Sequence, residues 1–218
     1  MLILGKCYEL DELNKVIPYQ VSNRNLVPIV CIDDQGMQYD QILINHGFNL
    51  KVLSDITDIR AVSDYPIVIC DIKGIGKSFG SKFEGGHIIE EIHKNYPEKI
   101  LISFSGNQFD ARYNKFFKLC DYVLTKDIDS DQWVSVLDET IKKVTTPIAQ
   151  WKRMRAFLYE KNVSTRKVFE LEQEFITAII TKDKNKFATN KTLENLSQDT
   201  RTVLTGFLSS LLFKMVIG

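Results

Sequence analysis

Short aliphatic runs recur along the first two thirds of the 218-residue chain, and most stop abruptly at a polar residue. Ile29–Ile32 runs into Asp33-Asp34, and Pro66–Cys70 runs into Asp71. Ile100–Phe104 runs into Ser105-Gly106, and Tyr122–Leu124 into Thr125-Lys126. Leu50–Leu53 is a further run of the same kind. Continuous apolar stretches this short are the pattern of strands covered on both faces. The segments between them carry helical spacing. Met37 to Asn45 predicts a helix that stops at a His46-Gly47 C-cap, and Asp55–Val62 predicts a short one. His87–Asn95, Gln108–Leu119 and Ser130–Val144 predict three more, the last with Trp133, Leu137 and Ile141 on one face. Repeated strand and helix in this order require a parallel sheet with right-handed crossovers. Such sheets bind ligands at the carboxyl ends of their strands. Asp33, Asp34, Asp71, Ser105, Gly106 and Lys126 are therefore expected to converge.

That set has a definite chemistry. Three carboxylates at one edge repel each other unless a positive charge sits among them. Mg²⁺ suits such a place, because it takes a few carboxylate oxygens, a backbone carbonyl and several waters. Asp33 or Asp34, with Asp71 and the carbonyl of Lys73, would supply the protein ligands. A carboxylate beside the ion can attack phosphorus and form an aspartyl phosphate. Lys126 would neutralise charge on the transferring oxygens, and the Ser105 hydroxyl would donate to one of them. Gly106 would leave room beside it. Ser103 is a competing hydroxyl without a small residue after it.

The segments VCIDDQ, VICDIKG, ISFSGN and DYVLTKD resemble the response-regulator receiver family, in order and at strand ends, over residues 27–145. The resemblance implies a flavodoxin-like, doubly wound, five-stranded parallel sheet of order 2-1-3-4-5. It makes Asp33 and Asp34 the metal-binding acidic pair, Asp71 the phosphoacceptor, Ser105 the switch hydroxyl and Lys126 the phosphate-pairing lysine. It implies Mg²⁺ as cofactor and a sensor histidine kinase or another phosphodonor as partner. The chain also departs from the family pattern. Asp34 and Asp71 are closer in sequence than usual, so the first two helices must be short. The loop after Asp71, KGIGKSFGSKFEGG, is longer than usual. Asp127 stands where the family has Pro. The switch aromatic's place, three residues before the lysine, holds Val123; Tyr122 is one residue off, which points it to the other face of the sheet. These departures turn attention from the usual hydroxyl-to-aromatic coupling to the long loop.

Outside that span the pattern changes. Residues 1–26 form an N-terminal extension in which Leu10 to Ile17 predicts a short helix ended by Pro18. Residues 146–218 predict a small all-α domain for output or dimerisation. Its helices cover Trp151–Glu160, a Ser164-capped segment to Thr181, and a Ser197-capped segment through Val216. The whole chain has 28 Lys+Arg and 28 Asp+Glu, but from Thr146 onward there are 12 against 7. That excess keeps a DNA-binding regulator as an alternative, though Trp151-Lys152-Arg153-Met154-Arg155 reads better as a solvated helix face packed through Trp151, and no helix-turn-helix pattern is found. A phosphorylation-independent scaffold is a second alternative. A phosphohydrolase ranks below both, since DIKG lacks the second acid of DxDx[TV]. The post-Asp71 loop is not GxxxxGK[ST], and is expected to be a flexible lid or a partner-binding loop.

Cys7, Cys31, Cys70 and Cys120 have no metal spacing, and Cys31 and Cys70 lie in apolar runs, which suits a reducing cytoplasm. His46, His87 and His93 have no ligand spacing and are expected at caps or on the surface. The N-terminus lacks the pattern of a signal peptide, and the apolar tail is too short to span a bilayer, so no membrane partner is expected. The combined expectation is a phosphorylation-controlled signalling protein, homodimeric through its helical tail.

Overall fold

The structure, a computed structural model, describes residues 7–16, 24–106 and 110–217. It divides into two compact units: residues 21–144, and residues 1–20 together with 145–218. The described helices begin with Leu13–Val16 (α1), which falls in the second of these units.

The first unit is a five-stranded sheet of order β2-β1-β3-β4-β5, with every neighbouring pair parallel. Its strands are Pro28–Ile32 (β1), Asn49–Leu53 (β2), Ile67–Asp71 (β3), Ile100–Ser105 (β4) and Tyr122–Thr125 (β5). This is the parallel sheet expected from the strand runs, in the flavodoxin-like doubly wound order that the family resemblance implies. The central strands β3 and β4 are buried at every residue. The edge strands β2 and β5 are not, so burial on both faces holds only for the middle of the sheet. One face carries Val30, Ile32, Val68, Cys70 and Leu101, packed with Ile88, Ile89 and Ile92 of Gly85–Asn95 (α3) and with Phe116. Ser130–Val144 (α5) lies where the sequence predicts it and buries Trp133, Leu137, Ile141 and Val144.

The other helices of this unit are shorter than their sequence patterns. The first, Asp40–Asn45 (α2), starts three residues after Met37, because the chain first makes a turn in which the Asp40 N–H donates to the Met37 carbonyl (3.2 Å). It ends at the expected His46 cap, with Gly47 at φ +88°. In the second segment only Ile59–Val62 is helical, as a 3₁₀ turn capped by Asp58. Asp55 does not join it: its carboxylate accepts from the Ile56 and Gly76 amides. The predicted Gln108–Leu119 helix is a 3₁₀ turn, Ala111–Tyr113, followed by one α-turn, Asn114–Phe117 (α4). Gln108 itself lies outside the described residues.

In the second unit, Pro147–Glu160 (α6) starts earlier than expected, with Pro147 at the position where proline's missing N–H costs nothing. Thr165–Thr181 (α7) is capped by Ser164 and Gln198–Ser209 (α9) by Ser197, as predicted. Between them lies Asn190–Leu193 (α8). The last predicted helix is broken at Ser210 (ψ 157°), whose hydroxyl accepts from the Phe213 amide and opens Leu211–Ile217 (α10). Trp151 stacks on Phe175, around which Phe187, Phe207 and Phe213 also gather. The N-terminal segment joins this core: Leu13 is buried in it, and the Tyr8 backbone exchanges two 2.8 Å hydrogen bonds with the Gln173 amide. The Pro18 that should end α1 lies outside the described residues. Among the described residues no single helix is long and apolar enough to cross a membrane; α9 and α10 together meet that length and composition but bend by 55°.

Candidate functional site: an acidic crevice bridged by a lysine

The sheet reverses its strand order at β1. The chain goes outward from β1 to β2, then returns to place β3 on β1's other side. Crevices open at the carboxyl ends of strands at such a point. Ile32 pairs with Cys70, so Asp33, one residue on, stands level with Asp71. Two further bonds extend the ladder past the strands: Asp33 N–H to the Leu53 carbonyl (3.0 Å) and Lys126 N–H to the Ser105 carbonyl (2.9 Å). These fix the backbones from which the side chains project.

Lys126 then joins what the sequence separates by 93 and 55 positions. Its Nζ lies 2.7 Å from Asp33 Oδ2 and 2.6 Å from Asp71 Oδ2. The remaining oxygens are also used: Asp33 Oδ1 accepts from the Gln35 amide (2.8 Å) and Asp71 Oδ1 from the Ile72 amide (2.6 Å). Both carboxylates are buried, whereas Asp34 is exposed. Burial pushes the Asp71 carboxyl above the usual range; the Lys126 ammonium and the Ile72 N–H work against that rise without cancelling it. At Lys126 burial acts to lower the pKa, and the hydrogen bonds to Asp33 and Asp71 outweigh it, leaving the value raised. The Lys126 ammonium also lies 4.8 Å from the centre of the Phe104 ring, which makes a T-shaped contact with Trp133.

One ammonium does not balance three carboxylates. Asp33, Asp34 and Asp71 offer oxygens that all lie within 4.8 Å of one another, a spacing that can hold a metal ion. Asp34 and Asp71 border a cavity of about 390 Å³ that is also lined by Lys73, Gly74, Ser105 and Lys126, with Gln35 and Gly106. The converging set expected from the strand ends is thus brought to one place, with one refinement. Asp33 is turned inward onto Lys126, and Asp34 faces the cavity. Ser105 lines the cavity while its Oγ donates to the Gly106 carbonyl (3.1 Å). Among the described residues, no atom lies within 4 Å of a Cβ added at Gly106, so their packing does not demand glycine there.

The segment after Asp71, expected to be a flexible lid or a partner-binding loop, carries specific contacts. Glu84 Oε2 accepts from the Gly74 amide (2.7 Å), Asp55 Oδ1 from the Gly76 amide (2.6 Å), and Ser78 Oγ donates to the Ile56 carbonyl (3.2 Å). Phe79 and Phe83 pack on the core of the sheet's face. A Cβ on Gly85 would lie 2.0 Å from the Asp71 carbonyl oxygen, so only glycine lets α3 start this close to the site. The sequence pattern gave no sign of Glu84 or Asp55. Their signal is a carboxylate paired with a glycine amide, which appears only once the chain is folded. At β5, Val123 is 39% exposed and Tyr122 Oη accepts from Lys143 Nζ (2.7 Å). Neither side chain takes the place of a switch aromatic.

No protein-family model and no curated protein matches the chain. Solved structures do. A response regulator receiver domain protein (CheY-like) from Methanospirillum hungatei JF-1 is 20% identical with a TM-score of 0.42, covering 53% of this chain and 97% of its own. The receiver domain of NtrX from Brucella abortus is 21% identical with a TM-score of 0.42, covering 52% and 98%. Response regulator TrrA from Thermotoga maritima, in complex with Mg²⁺ and BeF, is 16% identical with a TM-score of 0.40, covering 52% and 98%. Over about half its length the chain is similar in structure to response-regulator receiver domains, and a helical region lies beyond.

Proposed function

We propose that this chain is a signalling protein of the two-component response-regulator type, in which Asp71 accepts a phosphoryl group with the help of Mg²⁺. The observation that carries this reading is the Lys126 bridge between Asp33 and Asp71, beside a third carboxylate and an open cavity. Asp34, Asp71 and the Lys73 carbonyl are the ligands we assign to the ion, with Asp33 shared between it and Lys126. When bound, Mg²⁺ neutralises the phosphoryl oxygens and the carboxylates around them. An Asp71 oxygen forms the new O–P bond as the bond from phosphorus to the donor breaks, its electron pair leaving with the donor. With a sensor histidine kinase as donor, that leaving atom is an imidazole nitrogen. Lys126 holds the charge on one phosphoryl oxygen, and Ser105 turns its hydroxyl from the Gly106 carbonyl to another. The helical unit is the output part, and we assign it a protein partner, a second copy of this chain in the first instance. A reducing cytoplasm fits the four free cysteines. Trp151 is fully buried and cannot stack on a base, which ranks nucleic acid below a protein partner.

The test is beryllofluoride with Mg²⁺, followed by backbone NMR. Shifts are expected around Asp71, Ser105 and Lys126, and none in Asp71→Ala. An unresponsive parent, or the same response in the variant, removes the reading. One observation favours a second reading. Val123 is exposed and Tyr122 is held by Lys143, so neither residue is placed as the usual aromatic switch. A phosphorylation-independent scaffold would keep its partner affinity in both Asp71→Asn and Lys126→Ala.

A further inference from the structure

We propose that Glu84 is a positioning residue of the metal site: its carboxylate fixes the Lys73–Gly74 peptide so that the Lys73 carbonyl faces the cavity. This rests on the metal-dependent reading of the site. The N–H of Gly74 and the C=O of Lys73 belong to the same peptide, and no described peptide bond is cis. In a trans peptide those two groups point in opposite directions. Glu84 Oε2 takes the N–H at 2.7 Å, and Glu84 is not among the residues lining the cavity, whereas Lys73 and Gly74 are. Holding the N–H away from the cavity therefore turns the carbonyl toward it.

Two other features confine this stretch of backbone. Gly74 has φ +84°, and a Cβ there would come within 2.4 Å of Asp34 Oδ2, so Asp34 stands directly against it. One peptide earlier, Gly85 N–H donates to the Ile72 carbonyl (3.2 Å). The peptide thus lies between the exposed carboxylate of the acidic pair and the clamp that Glu84 supplies.

Glu84 also occupies an unusual backbone position, φ 48° and ψ −124°. Glycine reaches such angles without a Cβ clash, and glutamate does not. A glycine would relax the backbone and lose the clamp. The chain places here a side chain whose hydrogen bond to the Gly74 amide orients the loop, as outer partners orient metal ligands generally.

The experiment uses the full chain, Mg²⁺ alone as the probe, and two variants. Glu84→Gly relaxes the backbone and removes the acceptor. Glu84→Gln keeps an acceptor oxygen and removes the charge. Glu84→Gly is expected to weaken Mg²⁺ binding about tenfold to a hundredfold, the usual effect of losing a partner behind a metal ligand. Its Gly74 amide should exchange with solvent faster than in the parent, in metal-free protein. Glu84→Gln should bind Mg²⁺ as the parent does and keep Gly74 protected. Equal binding by the parent and Glu84→Gly, or unchanged Gly74 exchange, overturns this inference alone. Equal losses in both variants make the effect one of charge and also overturn it. A parent that does not bind Mg²⁺ removes the metal reading and this inference together.

Discussion

Two lysines at opposite ends of the same sheet show how little the residue type decides. Lys126 follows β5 at the carboxyl end and meets two carboxylates. Lys99 precedes β4 at the amino end, and its ammonium donates to the Ser63 carbonyl (2.7 Å) and the Tyr65 carbonyl (3.0 Å). Burial works to lower both pKa values. At Lys126 the carboxylates outweigh it and the value is raised. At Lys99 burial wins over Glu98 and Asp64, and the value is pushed down to about 8. Carbonyl dipoles satisfy an ammonium's hydrogen bonds without returning a full opposite charge. The amino end therefore uses lysine to close a loop, and the carboxyl end uses it to hold acids together.

Removing each lysine should break that contrast unequally. Lys126→Met leaves Asp33 and Asp71 buried with no cation, and should cost about 3 kcal/mol of metal-free stability at neutral pH in urea unfolding. The sign of its pH dependence follows from Asp71. Its carboxyl already titrates above the ordinary value, and loses its main lowering influence with the lysine. The deficit should therefore shrink on acidification, as the carboxyl takes up a proton in the folded state. A pH-independent deficit would mean that Lys126 acts through packing.

Mg²⁺ should come next in size. At about a hundredfold over its dissociation constant it should raise the unfolding free energy by about 2.7 kcal/mol. Asp34→Ala should abolish this gain and leave the metal-free protein as stable as before or more so, because it removes an exposed like charge. Lys99→Met should keep the full gain; a smaller one would show that the two ends of the sheet are coupled.

Lys99→Met itself should cost about 2 kcal/mol, since it strips two loop carbonyls of their donor. Between pH 8 and 10.5 the folded chain has released this proton and the unfolded chain still holds it. The lysine's contribution thus makes stability rise with pH across that window, and the variant should lack that component of the slope. The smallest effect belongs to Ser105→Ala. Its hydroxyl has one long bond to a neighbouring carbonyl, so stability should change by less than about 1 kcal/mol and Mg²⁺ affinity not at all. Its effect should appear only in the response to beryllofluoride.

The sheet could be read from the chain because its signal is local. Ile29–Ile32, Pro66–Cys70 and Ile100–Phe104 are too apolar and too short for anything but buried strands, and the order of elements leaves few ways to connect them. Strand ends then located Asp33, Asp71, Ser105 and Lys126, since a parallel sheet carries all its carboxyl ends to one edge. Ser164 and Ser197 were legible as caps for the same reason: a cap satisfies amides two or three residues away.

What the sequence alone could not settle depended on partners far along the chain. Periodicity at residues 37–45, 55–62 and 108–119 promised helices longer than those formed, because competing bonds came from turns and from distant glycine amides, as at Asp55 and Gly76. The joining of residues 7–16 to the C-terminal helices rests on Tyr8 meeting Gln173, 165 positions away. Only the folded chain could turn Asp33 inward and Asp34 outward. Adjacent side chains at the end of a strand leave on opposite sides, and which of them meets the lysine is decided by how the folded chain brings Lys126 to the ends of β1 and β3.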